Sequence, residues 1–158
     1  MAEDQRFSVV LEQLQDYRFQ VSFDWQGVPP LTLDIDAPVG GRAGPDAERL
    51  LAAAAANCLS ASLLFALRKF KQNPGPLRAE ASGSLVRNER GRLRIGDLQV
   101  TIHLAETAER LQHLERAAAQ FEDFCTVTES IRRGIPVSVE VRDAQGALVH
   151  AAPAVEER

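Results

Sequence analysis

Cysteine is scarce in this chain: its 158 residues hold two, Cys58 and Cys125, separated by 67 positions. That separation excludes a CxxC redox hinge and a zinc ribbon, both of which need cysteines close together in sequence. Any thiol chemistry has to be assembled by folding. Histidine is nearly as sparse, and His103, His113 and His150 fall on a predicted strand, a predicted helix and the tail without ligand spacing, so no metal site is expected. Gly40, Gly41 and Gly44 miss the spacing of a P-loop or a dinucleotide fingerprint, and no Lys-Ser/Thr follows them. No cofactor is expected.

A block of basic residues is also missing. The net charge of −4 comes from mixed charges spread along the sequence, which gives no electrostatic footprint for nucleic acid. The first six residues, Met1 to Arg6, are polar and charged and lack the apolar stretch of a secretory signal, so a cytoplasmic location is expected. One long apolar run is present, from Leu50 to Leu67. Its length approaches the ~20 residues a span needs, but it contains Asn57, Ser60 and Ser62, and much of its apolar content is weakly hydrophobic alanine. It reads as a buried core helix, with no membrane partner.

With 45% hydrophobic residues, the chain can bury roughly two-thirds of its unfolded surface in one domain. That domain is placed at 1–150, with 151–158 as a flexible tail. Alternation of Tyr17, Phe19, Val21 and Phe23 with polar neighbours predicts a strand, as does Leu31, Leu33 and Ile35 against Thr32, Asp34 and Asp36. Phe7 to Gln13 is a weaker strand. A glycine loop over 39–45 then leads to Asp46, a good N-cap. Nothing breaks a helix from Ala47 to about Lys71; apolar on nearly every side, it is expected to be central and enclosed. A hairpin follows, with strands around Leu77–Leu85 and Leu93–Leu104, a turn at Asn88–Gly91 and a bulge at Gly96–Asp97. Leu111, Leu114, Ala118 and Phe121 recur at helical spacing, and Thr126 with Glu129 forms a capping-box pattern for a short helix ending at Gly134. Val137, Val139 and Val141 predict a strand, and Ala147–Val149 a short closing one. The fold class is α+β.

Periodicity alone favours packing roles for both cysteines, since free cysteine behaves as a small buried hydrophobe. The surrounding motifs say more. The run from Gly44 through Asp46, Glu48 and the alanines 52–56 to Cys58 resembles the central-helix segment of the OsmC/Ohr family, the osmotically inducible and organic hydroperoxide resistance proteins. In that segment a polar N-cap precedes a glutamate, an Ala-rich stretch and a reactive cysteine. The run Phe121–Ile131 resembles the segment bearing the second family cysteine, with Thr126 standing where members often carry proline. Element order and the placement of both cysteines agree over nearly the whole chain.

The resemblance implies an OsmC-like fold, with antiparallel sheets around a long central helix in an intertwined homodimer. It also implies a cysteine-based thiol peroxidase that reduces organic hydroperoxides, with Cys58 as the attacking sulfur and Cys125 as its resolving partner. A family arginine that activates the thiolate is matched by Arg18, with Arg42 in the glycine loop as the alternative, and Glu48 would hold that arginine's guanidinium. The implied reductant is a dithiol, often lipoyl-type. An unperturbed thiol with a pKa near ~8.5 is mostly protonated at neutral pH, which is why such chemistry needs a cation. Ten residues of straight helix place Glu48 about 15 Å from Cys58 on a different face, so the carboxylate acts through a long arginine or comes from a partner subunit. A site shared between two chains is therefore expected. The competing expectation keeps the fold without the enzyme: a stress protein binding a small hydrophobic ligand at the dimer interface, with inert cysteines.

Overall fold

The computed structural model describes residues 5–154. Within what the sequence reads as one domain, the chain divides into two compact units between Leu50 and Leu51.

In the first unit, β1 (Val9–Gln15), β2 (Arg18–Phe23) and β3 (Leu31–Leu33) form an antiparallel sheet in that order. β3 is shorter than its alternation predicts. At Asp34 the chain leaves the sheet, and the carboxylate turns inward to organise the loop that follows. Backbone bonds from Gly40 to Asp36 and from Arg42 to Ile35 fold the loop back on itself. Glycine is required here on steric grounds, because a Cβ on Gly44 would sit 1.9 Å from the Thr32 carbonyl oxygen. Asp46 caps the next helix as expected, its Oδ1 accepting from the Arg49 N–H at 2.8 Å.

That helix, α1 (Ala47–Lys69), is 23 residues long and carries the chain into the second unit. It has the length and hydropathy of a membrane span, but Leu59, Leu63, Ala66 and Leu67 pack into the core of this unit. The opposite side is open, with Phe65 exposed, so α1 is not enclosed as its composition suggested. Ala53, Ala54, Asn57 and Ala61 make up most of that side, and alanine lends a helix apolar composition without the large area that drives burial.

The second unit's sheet runs in the order β4 (Arg78–Arg87), β5 (Leu93–His103), β6 (Val137–Arg142) and β7 (Leu148–Ala152). β4 and β5 form the expected hairpin, and the register shift after Ser84 leaves Gly96 unpaired, the bulge read from the sequence. β5 and β6 pair in parallel, the one departure from an antiparallel arrangement, because the helical segments between them carry the chain back to the starting end of the sheet. Val137, Val139 and Val141 are all buried, as their alternation requires. β4 is exposed on both faces despite its alternation. β7 continues through Ala152, two residues into the segment expected to be a tail; 155–158 lie outside the described residues.

The helix expected after Thr107 is broken into a 3-10 turn at Ala108–Arg110, α2 (Leu114–Ala118) and a second 3-10 turn at Glu122–Phe124. His113 adopts a left-handed conformation, φ 61°, which a continuous right-handed helix cannot include. Leu111, Leu114, Ala118 and Phe121 are nevertheless all buried. Their spacing reported burial correctly and regular structure incorrectly. α3 (Thr126–Ile131) follows directly.

Candidate active site

Cys58 lies in the middle of α1, partly accessible and packed against the core cluster. Cys125 is fully buried between the second 3-10 turn and α3. It is the N-cap residue of α3, with extended backbone (φ −83°, ψ 95°), so Thr126 is the first helical residue and the expected capping box does not form. The Cys125 N–H donates to the Glu122 carbonyl at 2.8 Å, and the Cys125 carbonyl accepts from the Glu129 N–H at 3.0 Å.

Folding brings the two sulfurs together as free thiols. Burial raises the Cys125 pKa above its ordinary value, and the side-chain interaction with Cys58 raises it further. The hydroxyl and N–H of Thr128 face the same sulfur and act in the opposite direction, without forming an aligned cap bond. Thr128 is completely buried and its Oγ1 has no aligned hydrogen-bond partner among the described residues. Further along, the Lys69 ammonium lies 4.7 Å from the Phe65 ring centroid and 4.9 Å from that of Phe124, linking the end of α1 to the turn before Cys125.

Arg18, Arg42 and Glu48 belong to the first unit. Arg18, on β2, places its Nε 3.5 Å from Asp34 Oδ2. Asp34 is 3% exposed. Its Oδ1 accepts from the Ile35 N–H at 2.9 Å, and its Oδ2 from Gly41 at 3.1 Å and Ala43 at 3.0 Å. The Ala43 amide foremost, then those of Ile35 and Gly41, and finally the Arg18 charge hold the Asp34 carboxyl below the usual range, against the opposing effect of burial. Arg42 pairs with Asp36 at the surface. Glu48 is exposed in the first turn of α1. Asp34 is the carboxylate that reading the sequence missed. The run of aspartates at 34, 36 and 46 around three glycines was the available signal, since carboxylates commonly order glycine loops through their amides. Arg18 and Asp34 border a cavity of about 280 Å³ that Tyr17 and Gly41 also line.

An α+β chain whose long helix carries one cysteine, with a second brought beside it from a distant turn, defines a dithiol protein of a recognisable fold. The profile of the OsmC-like protein family matches residues 40–140, and the chain belongs to that family. Its fold is similar to that of an OsmC-like protein of unknown function from Vibrio cholerae, with a TM-score of 0.73 and 17% identity over 87% of this chain and 99% of that one. It is also similar to an organic hydroperoxide resistance protein OsmC from Legionella pneumophila (TM-score 0.68, 16% identity, 87% and 98% covered). The organic hydroperoxide resistance protein OhrB of Bacillus subtilis gives a TM-score of 0.63 and 22% identity, with 87% and 98% covered. A search of curated protein sequences gives no match.

Proposed function

We propose that this protein is a cysteine-based thiol peroxidase acting on organic hydroperoxides. The observation that carries the reading is the meeting of Cys58 and Cys125, two sulfurs 67 residues apart in sequence. Accessibility supports this division of roles: a substrate can approach the partly accessible Cys58, while Cys125 is sealed in the core.

The Cys58 thiolate attacks the hydroperoxide O–O bond. The sulfur takes the terminal OH and becomes a sulfenic acid, and the alkoxide leaves and is protonated to the alcohol. Cys125 then displaces that hydroxyl as water, forming a Cys58–Cys125 disulfide and heading off irreversible sulfinic acid formation. A reducing dithiol, of the lipoyl type in our assignment, exchanges with the disulfide, becomes a disulfide itself and restores both thiols. We assign Arg18 as the cation that stabilises the Cys58 thiolate and donates to the peroxide; its Nε lies 3.5 Å from the buried Asp34 carboxylate, a charge pairing without a hydrogen bond. Glu48 is assigned to a neighbouring copy's site.

The functional form is a homodimer in the cytoplasm. β1 exposes Val9, Leu11 and Leu14, and β4 exposes Leu85 and Val86. Apolar residues on two edge strands call for a covering surface, and a second copy of the chain supplies it. The test is mass spectrometry after one equivalent of cumene hydroperoxide. A loss of two hydrogens mapped to a Cys58–Cys125 disulfide, with cumyl alcohol released in equal amount, supports the reading. Unmodified thiols beside intact peroxide overturn it.

A further inference from the structure

Cys125 sits inside a closed set of interactions that its role as a thiol does not require. Its N–H is held by the Glu122 carbonyl, and its own carbonyl by the Glu129 N–H. The side chains of those same two glutamates converge on Arg132. Arg132 Nη2 donates to Glu122 Oε2 at 3.0 Å, and Arg132 Nε lies 2.9 Å from Glu129 Oε1 as a close ion pair whose N–H is not aimed at the oxygen. His150 Nε2, from β7, approaches the other Glu122 oxygen at 2.6 Å, and its ring meets Phe121 edge-on at 5.5 Å. The side chains of Glu122, His150 and Arg132 are mostly shielded from solvent, at 13%, 19% and 25% exposure.

We infer that Arg132 is a positioning residue for the disulfide-forming step: by bridging Glu122 and Glu129 it fixes the backbone on both sides of Cys125 and holds its sulfur against Cys58. The chemical role of the thiol pair rests on the peroxidase reading; the juxtaposition itself does not. A disulfide needs the two sulfurs about 2.05 Å apart in a specific geometry, so condensation gains from a held segment and would lose from a mobile one. The bridge is suited to this because Arg132 carries a planar fork that can serve two carboxylates at once. Three short elements, a 3-10 turn, α3 and β7, meet at it, and none has the length to stiffen the Cys125 segment alone.

Two measurements on the full chain separate this inference from the peroxidase reading. The first is equilibration in glutathione redox buffers, which gives the effective concentration of one thiol at the other with no peroxide present. Arg132→Met is expected to lower it about ten-fold, in keeping with the loss of a charge-assisted hydrogen bond. The second is a single turnover with cumene hydroperoxide, trapping the sulfenic acid with dimedone. The variant should form sulfenic acid at the wild-type rate and close the disulfide about ten-fold more slowly, with more sulfinic acid at excess peroxide. A merely structural role would slow both steps together. Should Arg132→Met fail to fold, Glu129→Gln removes one arm from the more exposed end of the bridge, and about a three-fold drop in effective concentration is expected. An unchanged effective concentration in the folded variant overturns the inference. A wild-type protein inert to the hydroperoxide, with the glutathione shift still present, overturns the peroxidase reading and leaves the inference standing.

Discussion

Cys58 and Cys125 are neighbouring free thiols, one partly accessible on α1 and the other sealed at the N-cap of α3. The asymmetry makes their two serine variants distinguishable. Cys58→Ser should fold normally and consume no hydroperoxide. Cys125→Ser should complete one attack and then stall, its Cys58 sulfenic acid persisting and passing to sulfinic acid as peroxide increases. Intact-mass spectra would show additions of one and then two oxygens in the second variant and neither in the first. Equal consumption by all three proteins would remove the division of labour.

Thr128 gives a finer test. Its buried hydroxyl faces Cys125 and favours the ionised sulfur, opposing the stronger effect of burial. Thr128→Val keeps the shape and removes that influence. Because the hydroxyl has no aligned hydrogen-bond partner to orphan, little stability should be lost. The Cys125 pKa should rise further, and the disulfide-forming step should slow because the thiolate is the attacking species. In the wild type that step should accelerate about ten-fold per pH unit until pH reaches the raised Cys125 pKa. Stopped-flow traces of sulfenic acid decay between neutral and alkaline pH would measure both effects.

The Asp34 loop should respond at the acid end. Its folded pKa lies below the unfolded value of about 3.9. The stabilisation it provides is therefore complete above that unfolded value and is lost as pH falls through the lower, folded one. The Gly41 and Ala43 amides that donate to Asp34 Oδ2 should report the change directly. In an NMR titration their proton shifts should move together with a midpoint below about 3.9, and Asp34→Asn should abolish the transition. A midpoint at or above the unfolded value would contradict the hydrogen-bonded carboxylate.

Much of this was legible in the sequence, and the failures share a cause. Asp46 as the cap of α1, the bulge at Gly96, and Val137, Val139 and Val141 facing inward all follow from local rules that local contacts satisfy. The segment from Thr107 to Cys125 misled because its apolar spacing records which residues are buried, and three short pieces can bury Leu111, Leu114 and Phe121 as well as one helix can. Asp34 reads as one of the polar positions in the alternation of a strand that in fact ends one residue earlier, where the two-residue period no longer applies. The meeting of the two sulfurs was available only from the family resemblance, since no local pattern relates positions so far apart.

Arg18 and Arg42 were both candidates for the activating cation, and their settings differ enough to choose between them. Arg18 is 40% exposed and is paired with a carboxylate that is itself buried and anchored by three backbone amides. Arg42 is 72% exposed and is paired with a surface aspartate, an arrangement worth little in orientation. Electrostatic stabilisation of a thiolate depends on charge held in place before the reaction, so we assign the role to Arg18, whose counter-ion is the more firmly anchored of the two. Arg18→Met should reduce the second-order rate with cumene hydroperoxide by about a hundred-fold, the usual cost of removing one preorganised donor. Arg42→Met should stay within about two-fold of wild type, as surface pairs contribute so little. The rates would be taken from peroxide consumption at limiting hydroperoxide, with folding checked by circular dichroism. The opposite ranking would move the activating role to the glycine loop and leave the Arg18–Asp34 pair as a structural feature of the first unit.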